Sequence, residues 1–165
     1  MEINKMHISN ELPQFKKTLA LIIATGAKEA KLYVASNSNI EELESFQIKS
    51  PQYSKDWTVR GVNSEKGSSS IRSAYSSQKT SLLTDFLHHM SKHIENIAKK
   101  NKITEVYIFC PSYMEGRLQK VISVEMKRLL MATYRGNFIK SHPFRLLEMI
   151  KINLENEFEL ALIHI

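Results

Sequence analysis

At 165 residues, with 42% apolar and 24% charged side chains, the chain has the size and composition of one globular unit with a real core. Its 23 lysines and arginines against 17 acids leave a net charge of +6, which favours polyanions such as RNA but also occurs in proteins that bind no nucleic acid. Cys110 is the single cysteine, which excludes an internal disulfide and a cysteine-based metal cluster. With no run of about eighteen apolar residues and no apolar leader after Met1, a cytoplasmic location and no membrane partner are expected.

Residues 1–18 mix polar and apolar positions without clear period and read as an N-terminal arm, loosely packed or a short helix. Residues 19–151 read as a single α/β domain. It opens with Leu19-Ala20-Leu21-Ile22-Ile23-Ala24, a continuous apolar run closed by Thr25-Gly26, which suits a buried strand. Lys31-Leu32-Tyr33-Val34-Ala35 is a second strand, turned by Ser36-Asn37-Ser38-Asn39. Ile40, Leu43, Phe46 and Ile48 mark a third, less regular one. Three strands so close in sequence predict an antiparallel meander.

From Ser50 to Ser77 there is no hydrophobic period; Pro51, Gly61 and Gly67 interrupt the chain and serine dominates its second half. That reads as a long loop. Leu83, Phe86, Leu87, Met90, Ile94 and Ile97 then recur at helical spacing from Gln78 onward. Thr80 or Ser81 can cap the start, and Lys99, Lys100 and Lys102 suit the negative end. Val106-Tyr107-Ile108-Phe109-Cys110, stopped by Pro111, reads as a central strand. A helix over about 112–131 carries Met114, Leu118, Ile122, Met126 and Leu129 on one face. Tyr134 to Lys140 reads as a further strand, and Pro143 as the first turn of a short helix with Phe144, Leu147 and Ile150. In the tail, 152–165, Phe158, Leu160 and Leu162 alternate with Glu159 and Ala161, the pattern of an edge strand. The fold class is therefore mixed α/β: a meander followed by a helix–strand–helix crossover on the same sheet.

Arg117, Lys120, Lys127 and Arg128 lie off the apolar stripe of the 112–131 helix and form a positive ridge spaced to follow a phosphate backbone. Solvated helix faces commonly look the same. Lys66, Arg72 and Lys79, on or beside the serine loop, extend the candidate phosphate-binding set. Tyr75, Tyr113 and Tyr134 are candidates for stacking on unpaired bases, although tyrosines often sit at a core margin. His89 and His93 stand four apart, but the hydrolytic glutamate and an obvious third ligand are missing, so no metal is expected. His93 is better placed at the core boundary and His88 in water. Cys110 ends a strand without a visible activating base and reads as a small buried hydrophobe. Glu115 and Glu125 form no carboxylate pair, and Glu125 reads as an edge residue. No nucleophile elbow, Walker loop or dinucleotide fingerprint occurs, so neither a cofactor nor a catalytic residue is assigned.

The order of segments, with Val106-Tyr107-Ile108-Phe109-Cys110-Pro111 and a helix containing Gly116-Arg117-Leu118, resembles the bacterial host-attachment proteins over about residues 18–151. These are grouped with bacterial relatives of the archaeo-eukaryotic peptide-chain release factors. The resemblance implies the fold of the release factors' middle domain, shared in outline with Pelota, and a place at the ribosome. In those factors a Gly-Gly-Gln tip before the long helix assists hydrolysis of peptidyl-tRNA. By order along the chain that loop is Gly61–Lys79, with Gly67, Ser68, Ser69 and Ser70 where the tripeptide would lie, and no Gly-Gly-Gln exists anywhere. The expected function is a non-catalytic RNA- or ribosome-associated module of translation. The alternatives are a protein-interaction or oligomeric scaffold using the tail as an added strand, and a degenerate peptidyl-tRNA or RNA hydrolase.

Overall fold

The computed structural model describes residues 4–47 and 68–163, with side chains in the first helix given from Ser81 onward. Its centre is a pair of strands that are apolar on both faces. All six residues of β2 (Ala20–Thr25) are buried, as are five of the six in β6 (Glu105–Cys110). They run parallel, in register from Ala20↔Glu105 to Ala24↔Phe109. Strands this apolar need cover on both sides. Their starts are tied together where the Thr104 hydroxyl accepts from the Leu19 N–H at 2.9 Å and the Thr104 N–H donates back to the Leu19 carbonyl.

The meander lies on one side of this pair. β3 (Glu29–Ser36) runs antiparallel to β2, β4 (Asn39–Glu42) antiparallel to β3, and β5 (Phe46–Gln47) pairs with the first residues of β3. Asn37 and Ser38 form the two-residue turn between β3 and β4 with φ of 48° and 66°, the left-handed pair that matches hairpin twist. On the other side, β7 (Leu130–Arg135) pairs parallel with β6. With β1 (Lys5–His7) on β4, the order is β1-β4-β3-β2-β6-β7, antiparallel in one half and parallel in the other.

Alternation along the strands divides the core in two. Leu21, Ile23, Leu32, Val106 and Ile108 face α1 (Ser68–Asn101), α2 (Ser112–Val121) and α3 (Val124–Leu129). Ile22, Ala24, Tyr33, Tyr107 and Phe109 face α4 (Pro143–Ile163) and the N-terminal segment. The helices answer with Phe86, Leu87, Met90 and Ile94 on one side and Leu146, Leu147 and Ile150 on the other, all buried. Each such side chain contributes about 1.5–3 kcal/mol.

The meander, the central strand and both apolar stripes match the expectation from sequence, and several boundaries do not. The N-terminal segment is no loose arm: β1 joins the sheet and Ile8 is fully buried. The long helix begins at Ser68, so Ser68, Ser69 and Ser70 are its first residues and not a loop tip, and Thr80 and Ser81 stand in its interior and not at its start. The 48–67 segment lies outside the described residues. The 112–131 helix is two helices, broken where Ile122 is extended (φ −71°, ψ 143°). Ser123 restarts it by accepting from the Met126 N–H at 3.2 Å. β7 occupies Leu130–Arg135 and not 134–140, because pairing with β6 outweighs the helical propensity of Leu-Leu-Met-Ala. The tail is no strand: α4 continues through Ile163, since no breaker follows Pro143 and an existing helix extends at one hydrogen bond per residue.

Candidate nucleic-acid interface

The end of β6 sets the site. Pro111 follows it, α2 starts at Ser112, and Met114 and Leu118 turn into the core. Tyr113, Arg117 and Lys120, at spacings of four and three, therefore share the outward side, and all three are exposed. The Ser91 hydroxyl donates to the Val121 carbonyl at 3.1 Å, fastening the end of α2 to α1. After the break, Met126 anchors α3 and leaves Lys127 and Arg128 exposed in its last turn. Lys120, Lys127 and Arg128 stand in the last turns of their helices, where the dipole favours them. None of the four enters a salt bridge among the described residues. The structure thus brings Arg117, Lys120, Lys127 and Arg128 onto consecutive helices of one face, with Tyr113 beside them.

Lys66 and Gly67 lie outside the described residues. Arg72, Tyr75 and Lys79 stand on the first half of α1, where only the backbone is described. Tyr134 is not available for stacking on a base: its ring lies on Phe109 with centroids 4.5 Å apart. Its phenol is pushed up to about 12, chiefly by burial, with Asn153 opposing and Glu157 reinforcing.

Sequence reasoning missed Arg135, whose guanidinium pairs with the Glu115 carboxylate beside the ridge. Nothing in the sequence couples positions twenty apart. Only the register Cys110↔Arg135 sets the end of β7 beside the start of α2. Glu125 is exposed on α3, at the edge as expected.

Cys110 is fully buried, and burial first, then Glu115, pushes its thiol up to about 11 against the pull of Arg135. A thiol held protonated in an apolar site is no nucleophile. His93 is half-buried, stacked on Phe46 with centroids 5.3 Å apart, while His88 and His89 are exposed. Among the described residues no three His, Cys, Asp or Glu side chains gather as a metal site, and no helix is long and apolar enough to cross a membrane.

No family model matches the chain, and no curated protein matches it either. Among solved structures, an archaeal translation termination factor, aRF1, superposes with a TM-score of 0.48 at 14% identity, over 87% of this chain and 41% of its own. An archaeal protein superposes with a TM-score of 0.42 at 13% identity, over 87% of this chain and 40% of its own. The chain thus spans about two fifths of these structures. Both are likenesses in outline and assign no partner or activity to this chain.

Proposed function

We propose that this chain is a non-catalytic module that associates with ribosomal or other structured RNA through the α2–α3 ridge. The observation that carries the reading is the exposure of Arg117, Lys120, Lys127 and Arg128 on consecutive helices, without a carboxylate partner among the described residues. Four exposed cations can neutralise four phosphates and release their counterions, which gives affinity without sequence preference. Tyr113, 61% exposed, adds a stacking surface for an unpaired base. Lys66, Arg72 and Lys79 are proposed to lengthen the track. The family resemblance carried by Val106–Pro111 and Gly116-Arg117-Leu118 makes ribosomal RNA the first ligand to try. The absence of Gly-Gly-Gln from the sequence and the protonated thiol of Cys110 favour binding over hydrolysis.

Co-sedimentation with ribosomes and filter binding to ribosomal RNA test this. With four phosphate contacts, affinity is expected to fall about a hundredfold between roughly 50 and 200 mM salt. Lys127→Ala with Arg128→Ala should weaken binding uniformly across sequences and lower the salt slope by nearly two. Binding that ignores salt, or no binding to either ligand, would remove the proposal.

A further inference from the structure

Among the described residues nothing covers the distal half of α4. Leu146, Leu147 and Ile150 hold the first turns on the sheet, yet every residue from Leu154 to Ile163 is exposed, about 15 Å of helix. Phe158 is 66% exposed, Leu162 55% and Ile163 74%. Phe158 and Leu162, four apart, run beside Glu155 and Glu159, also four apart, so apolar and acidic rows adjoin. Residues 152–163 hold three glutamates and no lysine or arginine, in a chain of net charge +6. The last turn of α4 also lacks a basic residue, although the helix dipole is negative there. Both features call for a partner that brings positive charge and apolar surface together.

The chain itself carries such a surface. Among Arg117, Lys120, Lys127 and Arg128 stand the exposed Tyr113 and Val124, with Met131 exposed on the adjoining β7. That face and the buried first turns of α4 pack on opposite sides of the sheet. We propose that the acidic, apolar end of α4 docks on the basic α2–α3 face of a second copy of this chain. Exchanged reciprocally, the two contacts close a two-fold dimer and leave no free end for further growth. Pairing of α4 with α4 is disfavoured, because both copies would bring Glu155, Glu157 and Glu159 and no lysine or arginine from residues 152–163. Docking also occupies the ridge assigned above to RNA, so nucleic acid and the second copy compete for it.

Light scattering of the full chain over a concentration series, without nucleic acid, tests the dimer separately from RNA binding. The expected mass at high concentration is twice 19.0 kDa. Glu155→Lys with Glu159→Lys, and separately Lys127→Glu with Arg128→Glu, should each hold the chain at 19.0 kDa. An equimolar mixture of the two variants should recover the doubled mass, since both contacts then join opposite charges. A wild-type chain that stays at the single mass overturns the proposal. So does a variant that still doubles alone, or a mixture that does not.

Discussion

At the scale of single residues, the sequence carried more about burial than about contact. Cys110 reads as a small hydrophobe because it ends an apolar run, and it is fully buried. His93 reads as a boundary residue, and it stacks on Phe46. Tyr134 was open to either reading, and only its partner Phe109, on a neighbouring strand, decides it. Gly136 directly follows β7, and the reason for a glycine there is not local. It has φ of +147°, and an added Cβ would meet the Phe138 ring at 2.7 Å, where that ring packs edge-on against Phe109. Gly136→Ala combines backbone strain with displacement of a core aromatic, and should cost about 2 kcal/mol. A urea midpoint equal to that of the wild type would show that neither constraint is real.

At the scale of elements, periodicity located the apolar stripes and misjudged where elements end. Met114, Leu118, Ile122 and Met126 keep helical spacing straight across the break between α2 and α3, so no periodic signal marks it. The break rests on Ser123, whose side chain satisfies the Met126 N–H at the new helix start. Ser123→Ala should cost about 1 kcal/mol and Ser123→Asp should retain most of that, read by urea titration. Equal midpoints for all three chains would mean that α3 owes its start to packing alone. The tail shows the opposite ambiguity. Five alternating residues from Phe158 fit a strand, but they continue a helix already running from Pro143.

At the scale of the whole molecule, burial of several titratable groups makes the fold sensitive to alkali. Burial, with Glu115, raises Cys110 from 9.0 to about 11. Burial, with Glu42, raises Tyr33 from 10.0 to about 12, and Tyr134 reaches about 12 from the same start. All three are weaker acids folded than unfolded. Their protonated forms are shared by both states below the unfolded values, so stability is complete there. As pH climbs past 9, the unfolded chain releases these protons first, and stability declines until the folded groups ionise as well. By about pH 10 the loss should be on the order of 1–2 kcal/mol. Urea midpoints at neutral pH and in this alkaline range check it, and an unchanged midpoint would contradict the burial of these groups.

The sequence by itself determined the mixed α/β class, the meander, the central β6 strand and which helix residues turn inward. Those follow from local periodicity and from the need to bury continuous apolar runs. It also placed four cations off the apolar stripe. Only the tertiary structure decided that Leu130–Arg135 is a strand, that the ridge spans two helices, and that Glu115 meets Arg135. It also set the first turns of α4 on the side of the sheet opposite α2 and α3. Each of these depends on pairing between segments distant in the chain, where sheet hydrogen bonds and packing outweigh local propensity.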